Sequence, residues 1–157
     1  RNRMKRDALS NRIYKGDRVL IKNSEGEKVN NIQFSMIHYP GDTVKQIRTK
    51  ILMENYSNHK VEYTSRLINC QPRGILNVFS VKSCVKIEAK RFVSFPILFH
   101  PPRRVIEELS VSQFSATLAF LSPGQNKILL TLTISGRVNV NNPTVIKGRK
   151  DVIPEER

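Results

Sequence analysis

Residues 91–102 constrain the fold most, because their hydrophobicity alternates and the alternation then stops abruptly. Every second position carries a large apolar side chain, which is typical of an extended strand with one buried face. These side chains are Val93, Phe95, Ile97 and Phe99. Pro101 and Pro102 end the strand, since proline has no N–H to donate and biases the preceding residue toward extended geometry. Pro96 lies inside the run, and the ladder bond that it removes predicts an edge position or a bulge there.

Further alternating runs, separated by turn residues, lie on both sides of this strand. They fall at residues 29–37, 44–53, 61–67, 75–81, 85–89, 114–120 and 128–134. Roughly seven or eight short strands with turns between them, and no helix of ordinary length, predict an all-β fold of two packed sheets. The inward phases of these runs predict a core that includes Ile51, Val61, Tyr63, Phe95, Ile97, Leu118 and Leu130.

The same pattern divides the chain into three segments. Residues 1–28 are expected to be a basic flexible arm, residues 29–138 the β-sandwich, and residues 139–157 a polar tail. Within the arm, residues 18–22 are an apolar exception that could pair as an extra strand. Residues 105–111 form a longer connection, too short to predict a helix. Cys70 and Cys84 lack metal-ligand spacing, so we expect free thiols, with a disulfide as the alternative.

A positive charge is spread over the chain and implies an acidic partner. The net charge is +14, from 27 Lys and Arg against 13 Asp and Glu, and residues 32–136 alone carry +7. Nucleic acid, an anionic membrane surface and an acidic protein segment all fit such a charge. A basic surface without a specific partner is the remaining alternative. No apolar run is long enough to cross a bilayer.

Catalytic and cofactor motifs are absent from the sequence. It contains no glycine-rich phosphate loop, no nucleophile elbow and no pair of carboxylates at a plausible strand end. Three histidines, at His38, His59 and His100, lie near strand ends, where loop solvation is a more frequent role than metal binding. The aromatic residues fall on inward phases, which argues against a stacking platform for RNA. We therefore predict a protein that is not an enzyme and has no cofactor and no metal.

Several short motifs resemble those of the ASH domain, an immunoglobulin-like module of centrosomal and ciliary proteins related to the major sperm protein and PapD-type sandwiches. The most specific are the Asn-x-Ser that begins at Asn55, the Phe-x-Pro that ends at Pro101 and the final Gly136. The remaining pieces are Phe34, Gly41, Val44-Lys-Gln-Ile, Met53-Glu-Asn-Tyr-Ser-Asn, Val61-Glu-Tyr, Phe79-Ser-Val, Phe114-Ser-Ala-Thr-Leu and Leu132-Thr-Ile-Ser-Gly. The resemblance spans roughly residues 29–138 and implies an immunoglobulin-like sandwich.

The resemblance also implies a non-enzymatic interaction and targeting module of a centrosomal or ciliary scaffold, in the cytoplasm and cytoskeleton. In that architecture the second strand, the central strand and the strand before it share one sheet, so that five cations project from one outer face. We hypothesise that this basic face docks an acidic partner segment; its residues are Arg48, Lys50, Lys82, Lys86 and Lys90. Two alternatives stay open: a nucleic-acid-associated accessory domain, and a reader of acidic or phosphorylated motifs like the membrane-contact-site relatives of major sperm protein.

Overall fold

The computed structural model describes residues 18–141, which contain nine strands and one short helix. Residues 1–17 of the expected arm and residues 142–157 of the expected tail lie outside this range. The elements are β1 (Val19–Lys22), β2 (Asn31–His38), β3 (Ile47–Asn55), β4 (Val61–Gln71), β5 (Phe79–Val81), β6 (Cys84–Ile87), β7 (Phe92–Phe99), α1 (Arg103–Glu107), β8 (Gln113–Leu121) and β9 (Ile128–Val140).

Two sheets pack face to face. The four-stranded sheet has the order β1-β3-β7-β5, and the five-stranded sheet has the order β2-β9-β8-β4-β6. All pairings are antiparallel except that of β2 with β9, which is parallel. This arrangement confirms the predicted all-β, immunoglobulin-like two-sheet sandwich.

The strand β7 has one buried face, as its alternating hydrophobicity predicted. It lies between β3 and β5, and Phe95, Ile97 and Phe99 are fully buried. Pro96 pairs with Lys50 of β3, whereas β5 ends at Val81, opposite Ile97. At Pro96, β7 therefore has a strand on one side only, which is an edge position of the kind that an internal proline requires.

Most of the predicted core residues are buried. Ile51, Tyr63, Phe95, Ile97 and Leu118 are at most 2% exposed. Two predictions need correction: Val61 and Leu130 are only partly buried and pack against the edge of the core. Val61 is the first residue of β4, and Leu130 lies near the start of β9. Both positions lie toward an open end of the sandwich, where fewer side chains cover them.

Aromatic rings join the two sheets. Phe99 of β7 stacks on Phe34 of β2 with a centroid distance of 5.3 Å and meets Phe114 of β8 edge-on at 5.9 Å. Between the two, Gly136 of β9 pairs with both Phe34 and Phe114. A β-carbon at Gly136 would lie 2.4 Å from two carbons of the Phe99 ring. The glycine of the ASH-like motif thus leaves the space that this ring occupies.

Asn55, the asparagine of the Asn-x-Ser motif, also joins the sheets. Its side chain is fully buried at the end of β3. The amide Nδ2 donates to the carbonyls of His59, Ile87 and Glu88 at 2.8, 3.1 and 3.2 Å. The amide oxygen accepts from the backbone N–H and the hydroxyl of Ser57. Asn55 therefore fastens the β3–β4 turn to the end of β6, which belongs to the opposite sheet.

The boundaries differ from the expected ones at three places. β1 lies within residues 1–28, and it pairs with β3 because Val19 and Ile21 are buried. β9 continues to Val140 because β2 pairs alongside its second half. The connection at residues 105–111 contains part of α1, in which Val105 and Ile106 cover the core.

Candidate functional site

The outer face of the four-stranded sheet holds two of the five predicted partner-binding cations. Arg48 and Lys50 are exposed on β3, and their neighbours on β7 are Leu98 and Pro96. Neither cation has an ion pair or a side-chain hydrogen bond within the described residues. Their charges are therefore available to a ligand.

Lys82 lies in the connection between the two sheets. It follows β5 directly, after Val81 pairs with Ile97. Its carbonyl already accepts from the hydroxyl of Ser65 on β4, in the five-stranded sheet. Arg48 and Lys50 are therefore the predicted cations on the strands of this face, and we call these two the cationic strip.

The other two predicted cations lie elsewhere, so the prediction of one face with five cations needs correction. Lys86 is on β6, which pairs with β4 in the five-stranded sheet, and its neighbour there is Glu62. Lys90 has φ 62° in the turn before β7, and its Nζ donates to the carbonyl of Tyr56 at 2.8 Å. The chain changes sheets after β5, because Val85 and Ile87 of β6 fill the core from the opposite side.

Lys22 of β1 also lies on the outer face of the four-stranded sheet, but its charge is neutralised. Its Nζ is 2.7 Å from Glu54 Oε1 and 3.0 Å from the Tyr56 hydroxyl. The hydrogen bond to Glu54 raises the pKa of Lys22, and the same bond lowers the pKa of Glu54. The alternating hydrophobicity of residues 18–22 is a sequence signal that could have placed Lys22 on this face. Its ion pair with Glu54 depends instead on the register between β1 and β3.

Apolar side chains accompany the cations. Leu98 and Pro96 on β7 and Leu52 on β3 are partly exposed on the outer face, and Phe92 is 62% exposed at the start of β7. Phe92 is thus an exception to the expectation that the aromatic residues lie inward. Tyr39 and Tyr56 are also exposed and are further exceptions. The face combines apolar residues of β7 with the cations Arg48 and Lys50 on the neighbouring strand β3.

The three histidines have different environments. His59 and His100 are exposed, as expected of loop residues. His38 is buried, and its Nε2 lies 2.6 Å from Glu107 Oε2 of α1. Glu107 also accepts from the Gly41 N–H at 3.0 Å and from Arg103 Nε at 3.1 Å. The bond from His38, followed by that from Gly41, lowers the pKa of Glu107 to about 2. Since a carboxylate only accepts, His38 Nε2 carries the hydrogen.

Within residues 18–141, no group of three or more His, Cys, Asp or Glu side chains is arranged to hold a metal ion. Within the same residues, no helix has the length and hydrophobicity to cross a membrane. Cys70 and Cys84 are both exposed and unpaired.

A groove lies on the other face of the molecule. It has a volume of about 610 Å³ and follows the outer surface of the five-stranded sheet. Gln33 and Ser35 of β2 form one side, Gln71 of β4 lies at the opposite side, and the serines Ser115 and Ser135 lie between them. Small hydroxyl side chains between longer amide side chains give the groove its depth.

Comparison with known proteins supports the fold. No protein-family model and no curated protein sequence matches the chain. Among solved structures, the ASH/PapD-like domain 7 of human CEP192 aligns with a TM-score of 0.52 and 13% identity, over 79% of this chain and 87% of that chain. A family 123 glycoside hydrolase from Clostridium perfringens aligns with a TM-score of 0.50 and 12% identity, over 87% of this chain but 32% of the hydrolase.

At these identities the likeness concerns the fold and not the chemistry. The hydrolase match covers one part of a much larger chain, whereas the CEP192 match covers most of both domains. The chain has the immunoglobulin-like fold of the ASH and PapD-like domains.

Proposed function

We propose that this domain is a non-enzymatic interaction and targeting module that binds an acidic segment of a partner protein through the cationic strip. The observation that carries the proposal is that Arg48 and Lys50 are exposed and unpaired beside the apolar surface of Pro96 and Leu98. Apolar contact supplies affinity, while the cations select a segment with carboxylates.

The expected affinity is modest. Each exposed ion pair contributes only ~0.2–1 kcal/mol, so several must act together. Their attraction extends over about a Debye length, ~8 Å at physiological ionic strength. Binding should therefore weaken steadily as salt is added.

The proposed cellular setting is a centrosomal or ciliary scaffold. It is supported by the fold shared with the CEP192 domain and by the ASH-like motifs at Asn55, Pro101 and Gly136. Recruitment of the tagged domain to centrosomes in cultured cells tests this part of the proposal.

Charge reversal tests the strip directly. The variant Arg48→Glu/Lys50→Glu should lose binding to an acidic leucine- and glutamate-containing peptide and should lose centrosomal recruitment. The matched control is Arg66→Glu/Lys86→Glu, which makes the same charge change at exposed positions of the five-stranded sheet. If both variants fold and lose binding equally, net charge explains the effect and the strip is not the site.

Nucleic acid is the second candidate, because the exposed ring of Phe92 shares this face with the cations. A base could stack on such a ring while the cations contact phosphates. In a competition experiment, single-stranded RNA that displaces the acidic peptide, and that binds Phe92→Ala less tightly, would favour this alternative. RNA that binds Phe92→Ala as well as wild type would exclude it.

A further inference from the structure

Among the strands of residues 18–141, β2 forms one edge of the five-stranded sheet, and its composition is unusual for an edge. Its sequence, Asn-Ile-Gln-Phe-Ser-Met-Ile-His, contains no Lys, Arg, Asp, Glu, Pro or Gly. Its register with β9 is unbroken over all eight residues, so no bulge turns the edge aside. Edge strands are normally protected by charge, proline or a bulge, because unpaired backbone groups attract other strands. β2 has none of these protections.

The backbone pattern shows which groups face outward from the edge. The carbonyl of Asn30 accepts from Thr133 N–H, and the carbonyl of His38 accepts from Asn141 N–H, both toward the β9 side. Alternate residues of a strand direct their N–H and C=O groups to the same side. The even-numbered residues between these two thus face β9. The N–H and C=O groups of the odd-numbered residues face the free edge; these are Asn31, Gln33, Ser35 and Ile37.

The side chains at the edge are suited to an added strand. On the inner side, Phe34 and Met36 are buried and mark the rim of the core. On the outer side, Gln33 and Ser35 form the rim of the 610 Å³ groove. An added strand would cover the rim of the core with its inward side chains and border the groove with its outward side chains.

Charge decides between possible occupants. A second copy of this chain would bring another +14 to the edge, and like charges oppose that association. The charge nearest to the outer side of β2 is also positive: Arg137 of β9 pairs with Ser35 and has no ion pair among the described residues. Carboxylates at the outward positions of an added strand would be attracted to it.

We propose that the free edge of β2 binds an extended segment of a partner protein as an additional β-strand, with apolar residues facing the core and acidic residues facing Arg137. Backbone hydrogen bonds supply affinity in this mode, and alternate side chains supply specificity. This surface goes beyond the proposed function, since the cationic strip belongs to the other sheet.

The test uses the full chain and a short synthetic peptide that alternates valine with glutamate and threonine. Hydrogen exchange read by NMR should show slowed exchange at the amides of Asn31, Gln33, Ser35 and Ile37 when the peptide is added. The variant Ser35→Pro removes one edge N–H without removing a bond to β9. Its peptide affinity should fall by about tenfold or more, while Ser35→Ala, which keeps the N–H, binds as wild type.

A second arm leaves the protein unchanged. N-methylation of alternate amides along one edge of the peptide should abolish binding to wild type, and this result holds even if Ser35→Pro does not fold. Three outcomes would overturn the proposal: the four amides exchange slowly in the free chain, Ser35→Pro or the methylated peptide binds normally, or the chain dimerises through this edge. In the variant Arg48→Glu/Lys50→Glu, the peptide should still slow exchange at the four edge amides. This result would distinguish the β2 edge from the cationic strip.

Discussion

At the scale of single residues, Gly136 and Asn55 perform tasks that other side chains cannot. Gly136 makes room for the ring of Phe99 between Phe34 and Phe114. Asn55 provides two N–H groups and an oxygen at a buried point where three carbonyls and Ser57 converge. The sequence motif indicated both positions, but the contacts that require them come from different strands and different sheets.

Replacing Gly136 with alanine should destabilise the domain by about 1–3 kcal/mol, because the new methyl group displaces a ring within a packed core. Urea unfolding followed by circular dichroism measures the loss. The neighbouring Ser135→Ala, whose side chain faces outward, should have little effect. A Gly136→Ala variant as stable as wild type would show that the ring moves aside without cost.

Replacing Asn55 with alanine should cost about 1–3 kcal/mol or more, because the buried carbonyl of Ile87 loses this donor. Asn58→Ala serves as the control, since Asn58 lies in the same turn and is exposed. Thermal unfolding of the two variants gives the comparison. Equal stability would mean that water replaces the amide there.

At the scale of elements, the alternating strands could be predicted and their sheet partners could not. β3, β7 and β8 were located by period-two patterns because each has one buried face. β6 shows the same period, yet its assignment to the sheet of β4 depends on Val85 and Ile87 packing from that side. Lys50 of β3 and Lys86 of β6 thus belong to different sheets, and the predicted basic face divides.

Short elements were also difficult to predict. β1 and α1 have too few residues for a periodic signal, and both are held by tertiary contacts. α1 is fixed to β2 by the bond between Glu107 and His38. The partner of a buried histidine in a distant segment is not visible in a single sequence.

That bond gives a prediction about pH. The folded-state pKa of Glu107 is about 2, below its ordinary 4.5, so its contribution to stability is present above pH 4.5 and lost as pH falls from 4.5 toward 2. His38, Arg103 and the Gly41 N–H are the groups that face it. Glu107→Gln should be less stable than wild type near neutral pH, and the difference should shrink across this acidic range.

Urea midpoints of wild type and Glu107→Gln, measured as a function of pH, provide the test. Glu108→Gln is the control, because Glu108 is exposed and its side chain has no bond in the described part of the chain. A difference between wild type and Glu107→Gln that does not change on acidification would contradict the assignment.

At the scale of the whole molecule, the two sheets share one core, and they should unfold together. Phe95 of the four-stranded sheet meets Phe120 of the five-stranded sheet edge-on at 5.3 Å, and neither ring is exposed. Phe95→Ala should lower the free energy of unfolding by about 3–5 kcal/mol in one transition.

Tyrosine fluorescence and far-ultraviolet circular dichroism, recorded on the same samples, test this cooperativity. The two probes should give one coincident midpoint in wild type and in Phe95→Ala. Separate midpoints would show that the sheets are stabilised independently. The variant Phe92→Ala, which removes an exposed ring from the same strand, should unfold close to wild type.

The parallel pairing of β2 with β9 has a consequence for synthesis on the ribosome. Asn31 pairs with Thr133 and His38 with Val140, so β2 is translated about a hundred residues before its partner. At ~5–20 residues per second, this delay lasts roughly 5–20 s. During that time both edges of an uncharged strand are open, so the nascent chain is vulnerable to wrong pairing until β9 emerges.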